Sequence, residues 1–264
     1  MHVHLPKALH GWRELAKEVG IIVLGVLIAL TFEQIVQNWR WRQQVRTTRQ
    51  ALVSEIEYSA IWADERLAIQ QCLRNRINSL TTKLNSDGAV WTADPMVVGQ
   101  PHHPIGGSFM EFTIPLAYRA PHRPWITDEW EAAKSTGVVD HLDRDEVRNF
   151  ELIFRSIDEL SSFQREETSL EPQLSFLSFK QTLQPQQRVD ALVTLARLDY
   201  VNAAQAQAAR QLLGNIASRH LLFAPVSFGG RMTSFDAATR RILTALKERY
   251  GRCVVDVRLT GQQS

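Results

Sequence analysis

The spacing of apolar and polar positions changes character twice along the N-terminal third of the chain. Val19 to Phe32 reads VGIIVLGVLIALTF, 14 residues without a charge. As a helix rising about 1.5 Å per residue it covers about 21 Å, short of a hydrocarbon core about 30 Å thick. Ile35, Val36 and Trp39 extend the apolar character, and residues 19–39 together reach about 31 Å. Glu33 and Gln34 fall near one end, where long side chains turn toward headgroups. The pattern predicts a membrane-spanning helix over 19–39, in preference to a soluble core helix or a cleaved signal peptide. Its lipid-facing residues are Gly20, Ile21, Ile22, Val23, Leu24, Gly25, Val26, Leu27, Ile28, Ala29, Leu30, Phe32 and Val36. Trp12 on one side, with Trp39 and Trp41 on the other, suits the two interfaces. Lys7, Arg13 and Lys17 precede the span and Arg40, Arg42, Arg46 and Arg49 follow it, so counting cations does not decide orientation. A short arm, 1–18, before a large domain fits a signal anchor with its N-terminus inside the cell.

Beyond the span, Leu52, Ile56, Ala63, Leu67, Leu73, Ile77, Leu80 and Leu84 recur at helical intervals. They predict one long helix running to about Asn85, ended by Asp87-Gly88. Residues 88–124 hold six prolines and several glycines, which predicts an irregular inserted loop with at most a short strand at 109–118. Thr127 is expected as a helix N-cap and Gly137 as that helix's end. Asp143 and Glu146 read as a capping box for the next helix, whose stripe is Val147, Phe150, Phe154, Ile157, Leu160 and Phe163. Pro172 and Pro185 bracket a shorter amphipathic piece. A long helix follows from Gln186 to about His220, with Val189, Leu192, Val193, Ala196, Leu212, Leu213 and Ile216 toward the core. After a loop at Pro225, Gly229 and Gly230, a last helix runs from Ser234 or Asp236 to about Gly251. The tail, 253–259, alternates like a short strand or an extended arm. The expected fold is all-α: a transmembrane helix continuing into an antiparallel helical bundle, 40–264, with one long Pro/Gly-rich inserted loop.

The run Glu18-Val19-Gly20-Ile21-Ile22-Val23-Leu24-Gly25-Val26-Leu27-Ile28-Ala29-Leu30, followed by Glu33-Gln34 and Trp39, resembles the start of uncharacterised proteobacterial-type single-pass membrane proteins. Arg123-Pro124-Trp125 through Trp130 and Gly137 is similar to one such family. The resemblance implies an anchor in a bacterial inner membrane and supplies no activity.

Composition adds mainly exclusions. A net charge of +2, with 30 basic and 28 acidic residues interspersed, gives no basic surface for nucleic acid. Cys72 and Cys253 are too few for a four-thiol metal site. An oxidising compartment would allow them one disulfide, and two unrelated buried thiols are an equal alternative. His102, His103, Glu111 and His122 lack metal-ligand spacing, and no metal or cofactor is expected. Asp140, Asp143, Asp145 and Glu146 read as complements to a helix start, and Glu166 and Glu167 as a solvated face. Tyr118, Arg119, Arg123, Trp125 and Trp130 form the candidate ligand or partner surface, because aromatic rings beside arginine offer stacking and hydrogen bonds together. No nucleophile elbow, phosphate loop or zinc-protease helix is present, so no enzyme is expected. The leading expectation is a membrane-anchored interaction or scaffold protein with a protein partner or a second copy of itself. An extracytoplasmic (periplasmic) ligand-sensing bundle acting through a partner comes second, and an unrecognised enzyme third.

Overall fold

The structure, a computed structural model, describes residues 11–86, 90–93, 96, 116–219, 226–228, 231–233 and 235–256; the side chains of 14, 226–228, 231–233, 235 and 236 are not described. The chain is all-α and divides into two compact units, Met1–Arg49 and Gln50–Ser264. Helix α1, Trp12–Ser86, begins in the first unit and ends in the second. No proline interrupts it and polar residues never cluster enough to break it.

In the first unit the helix carries an 18-residue window of mean hydropathy 2.3, none of it buried. A core helix of the same composition is packed against neighbours; here Ile21, Leu24, Leu27 and Phe32 all lie exposed. Polar side chains close to this stretch bond to their own helix. Thr31 Oγ1 donates to the Leu27 carbonyl at 2.7 Å, and Gln37 Nε2 to Glu33 Oε1 at 3.2 Å.

In the second unit every residue of the expected α1 stripe, from Leu52 to Leu84, is buried. Burial also exceeds a stripe. Residues 59–69 are buried without exception, Asp64, Glu65 and Arg66 included. The helix is covered on all sides here, which a single amphipathic face does not foretell. Strand β1, Val90–Trp91, pairs antiparallel with β2, Gln181–Thr182, and Trp91 Nε1 donates to the Leu177 carbonyl at 2.8 Å. Arg188 Nη1 donates to the Leu84 carbonyl at 2.7 Å, meeting one of the carbonyls left open where α1 ends. Met96 bridges Leu116; residues 109–115 of the expected strand, with His102, His103 and Glu111, lie outside the described residues, as does Asp87-Gly88.

Helix α2 is Asp128–Ser135 and α3 is Arg144–Leu170. Thr127 is the N-cap residue of α2 by position, but its side chain makes no capping bond. Glu55 of α1 supplies it instead, accepting from the Glu129 N–H at 2.9 Å. A carboxylate at a helix start gains from the dipole as well as the hydrogen bond, so the distant side chain displaces the local hydroxyl. Gly137, at φ 74°, ends the segment in the left-handed region that favours glycine. Asp143 caps α3 by accepting from the Asp145 N–H at 2.8 Å, one residue short of the capping-box position. Phe150, Phe154, Ile157 and Leu160 of the expected stripe are buried, joined by Ile153, while Val147 and Phe163 are half-buried.

The piece after α3 is a 3-10 helix, Glu171–Ser178, followed by β2 and then α4, Pro185–Ser218. Gln184 and Gln187 form a reciprocal capping box at the start of α4. The first half of α4 is turned away from expectation, although the expected Leu192 packs half-buried against the core. Val189, Val193 and Ala196 are exposed, and Ala191, Leu195, Leu198 and Val201 are buried instead. Leu212, Leu213 and Ile216 face the core as expected. Contacts at Asn149–Arg219 and Glu167–Gln205 run α4 antiparallel to α3, and those at Gln70–Asn202 and Leu84–Arg188 run it antiparallel to α1. Where a loop was expected after α4, strands β3, Val226–Phe228, and β4, Arg231–Thr233, pair antiparallel. Helix α5, Phe235–Tyr250, leads to a 3-10 turn, Gly251–Cys253, and an extended segment through Asp256. Residues 257–259 of the expected arm lie outside the described residues.

Candidate functional site

The polar residues on the buried part of α1 meet partners from three other segments. Arg66 reaches Glu167 of α3 through two hydrogen bonds, Nη1 to Oε2 at 2.9 Å and Nη2 to Oε1 at 2.8 Å. Both side chains are nearly inaccessible, 5% and 0% exposed. Tyr118 donates its hydroxyl to Glu167 Oε1 at 2.8 Å, and Gln205 of α4 donates to Oε2 at 3.1 Å. Asn202 completes the group: its Oδ1 accepts from Arg66 Nη2 at 3.1 Å, and its Nδ2 donates to the Gln70 carbonyl at 3.3 Å. A buried charge pair is tolerated when its remaining hydrogen-bonding capacity is filled, and Glu167 accepts four bonds. Burial works against the charge on Arg66, but the Glu167 carboxylate and Tyr118 outweigh it and hold the guanidinium above its ordinary value. Burial beside Glu167 also pushes the Tyr118 phenol well above its usual range.

A second ion pair lies closer to the surface. Arg123 grips Glu65 through Nε and Nη2, at 2.5 and 2.6 Å, and lies over the Trp62 ring, 4.7 Å from its centroid. Its backbone is held as well: Gln164 accepts from the Arg123 N–H at 2.9 Å and donates to its carbonyl at 2.8 Å. The same Gln164 oxygen accepts from Trp125 Nε1 at 3.1 Å. Extended residues 121–125 are thereby fixed across α1 and α3 without forming any element of their own. Trp62, Glu65, Arg66, Arg123, Trp125 and Gln205 help to line a crevice with room for about one water molecule.

The structure thus places the five expected surface residues in three situations. Tyr118 is inside the buried network, and Arg123 and Trp125 border the crevice. Arg119 is half-buried beside them in sequence. Trp130 is separate, stacked on Phe154 of α3 with ring centroids 5.3 Å apart and planes 2° from parallel. Glu167 is not on a solvated face; only Glu166 is, within 3.4 Å of Arg197. Arg66, Glu65, Asn202 and Gln205 were not among the expected residues. A signal exists for Glu167 itself, which stands seven residues after Leu160 and three before Leu170, in phase with the core stripe of α3.

Other titratable groups sit at the edges. His122 lies 3.4 Å from Glu171, whose bond raises the imidazole above its usual value. Asp64 is 2% exposed, its Oδ1 has no hydrogen-bond partner, and burial followed by the nearby Asp256 and Glu65 pushes its carboxyl up to about 7. Asp256 belongs to the extended C-terminal segment, which is tied to α1 twice. Val255 N–H donates to the Ala68 carbonyl at 2.9 Å, and Cys72 is disulfide-bonded to Cys253 with their Cα atoms 5.1 Å apart. Among the described residues, no three His, Cys, Asp or Glu side chains converge as a metal site.

Chemically the network is a clamp. Glu167 spends both oxygens on Arg66, Tyr118 and Gln205, whereas Arg66 keeps one buried donor, Nε, without a hydrogen-bond partner and borders the crevice. The outward faces differ. On α4, Val189, Val193, Ala196 and Tyr200 are exposed at steps of four, three and four residues, opposite the buried side of the same helix. That spacing is the 3.5-residue repeat of a helix seam. Comparison of the chain with protein-family models, curated proteins and solved structures finds no match in any of the three.

Proposed function

We propose that the chain is a membrane-anchored helical interaction protein, held in a bacterial inner membrane by residues 19–39 of α1 with 40–264 on the periplasmic side. The observation that carries the anchor is the exposed apolar stretch of α1, whose window of mean hydropathy 2.3 is nowhere buried among the described residues. In water such a face is strongly unfavourable, while a bilayer makes it the favoured arrangement. Cleavage of this segment as a signal would fall inside a helix that runs on to Ser86 and there supplies core residues. The Cys72–Cys253 disulfide supports an oxidising compartment. The likeness of the N-terminal run to uncharacterised proteobacterial membrane proteins agrees with this reading.

The interaction surface is the outer face of α4, and its occupant is a helix of a partner protein. A seam of Val189, Val193, Ala196 and Tyr200 at 3.5-residue spacing matches knobs-into-holes packing, with the small Ala196 allowing close approach. Ligand sensing gains no support from the crevice at Arg123, which has room for about one water molecule. The test is a photo-cross-linking amino acid in place of Tyr200 in the full chain in cells. A single reproducible protein adduct in the membrane fraction, lost when Val193→Glu is added, is expected. Adduct formation no greater than from a probe at exposed Glu151 overturns the surface. A C-terminal reporter active only inside the cytoplasm, if it proves active, overturns the orientation.

A further inference from the structure

Between Glu33 and Glu55 the chain contains no acidic residue and four arginines, Arg40, Arg42, Arg46 and Arg49. This is unlike the chain as a whole, where 30 cations are set among 28 anions. It is also unlike the other flank of the apolar stretch, where Arg13 and Lys17 alternate with Glu14 and Glu18. All four arginines are exposed on α1. Trp39, Arg42, Arg46 and Arg49 follow at steps of three, four and three, which places them on one face of the helix, while Arg40 lies toward the opposite side. Four arginines of the second unit are set against carboxylates, Arg66 with Glu167 and Arg123 with Glu65 most closely. Arg40, Arg42 and Arg46 have no acidic residue within two helical turns on the domain side, and Glu33 on the other side is bonded to Gln37.

We infer that residues 40–46 of α1 form a binding site for anionic phospholipid headgroups at the membrane surface where the span ends. The inference rests on the reading of 19–39 as a membrane span. With Trp39 at the interface, a rise of about 1.5 Å per residue puts Arg40, Arg42 and Arg46 at about 1.5, 4.5 and 10 Å beyond it. Arg40 and Arg42 fall within the Debye length of about 8 Å at physiological salt, and Arg46 lies just beyond it, within reach of its own side chain. A guanidinium meets a phosphodiester with paired N–H donors, a geometry that water and chloride do not match. Each cation so placed is worth about a fivefold preference for an anionic over a zwitterionic surface. On the other flank Arg13 and Lys17 are offset by Glu14 and Glu18, so the preference is concentrated in the leaflet at Arg40, Arg42 and Arg46.

The experiment reconstitutes the full chain in phosphatidylcholine vesicles carrying a trace of spin-labelled phosphatidylglycerol or spin-labelled phosphatidylcholine, and reads the motionally restricted lipid fraction. At low salt the phosphatidylglycerol label is expected to be preferred at least about fivefold. In R40Q/R42Q/R46Q the two labels should become equivalent, while R144Q/R155Q, on the exposed face of α3, keeps the wild-type preference. Sodium phosphate and sodium chloride at equal ionic strength should weaken the preference equally. Displacement by phosphate alone identifies a free-anion site and overturns the inference, as does a triple variant that keeps the preference. Restricted phosphatidylcholine without any phosphatidylglycerol preference overturns the lipid site and leaves the anchor standing. Absence of restricted signal from both labels, with protein extracted by alkaline carbonate, overturns the anchor itself.

Discussion

Residues 19–36 and residues 57–66 lie on the same helix and obey opposite rules. The first stretch turns leucine, isoleucine and valine outward with nothing against them. The second turns glutamate, aspartate and arginine inward, where Glu57, Asp64, Glu65 and Arg66 are all at most 5% exposed. Each would be costly in the other's surroundings. Apolar surface is disfavoured by about 25 cal/mol per Å² in water, and a buried charge without partners by several kcal/mol. The difference lies in what surrounds the helix. The buried stretch is supplied with Glu167, Asn202, Gln205 and Arg123 from other segments, whereas none of the apolar stretch is covered by the described residues.

The largest expected effect breaks the outward-facing half. Leu24→Arg/Ile28→Arg places two charges near the centre of the span, at about 2.5–3.5 kcal/mol each against insertion. The protein should leave the carbonate-resistant membrane fraction, and unchanged fractionation would refute the anchor. The inward-facing half is broken next by Glu167→Ala, which strands Arg66 and lowers unfolding free energy by about 3–5 kcal/mol in urea titrations. Replacing both partners, as Arg66→Met/Glu167→Leu, should recover most of that loss, because the apolar pair leaves no orphaned charge. If the double variant is as unstable as the single one, the clamp is not held by its charge pairing.

A smaller effect concerns pH. Asp64 has a carboxyl raised from its ordinary 3.8 to about 7, so the folded state holds a proton that the unfolded state releases between those values. Stability is therefore complete below pH 4 for this group and falls as pH rises toward 7. Asp64→Asn should remove that decline and stabilise the domain at pH 8 by about 2–4 kcal/mol, read from thermal midpoints across pH. A decline that persists unchanged in Asp64→Asn assigns it to another group. The smallest effect separates local from distant capping of α2. Glu55→Gln should cost about 1 kcal/mol and Thr127→Ala less than about 0.5 kcal/mol, since only Glu55 bonds to the helix start. The reverse order in urea titrations would return the cap to the local residue.

What the sequence by itself determined is everything carried by runs and periods. The apolar stretch of α1, the stripes of α1 and α3, the stop at Gly137 and the start of α4 beside Pro185 follow from residue type and spacing. Only the tertiary structure decided which faces are covered. A helical period marks an apolar face but not how many neighbours surround it, so the complete burial of residues 59–69 was not legible. On α4 two opposite faces are both apolar, and alanines serve either, so its first half was phased toward Val189 and Val193 when Leu195 and Leu198 meet the core. The partners of Arg66 come from positions 167 and 202, those of Glu167 from 66, 118 and 205, and the partner of Cys72 lies 181 residues away. Such pairings are set by how elements come together in space, and local spacing along the chain carries no record of them. Periodicity fixes what a helix can offer; its neighbours decide what is taken up. In α1 they enclose the charges of 57–66 along with the apolar stripe of 52–84, while the apolar residues of 19–36 stay exposed.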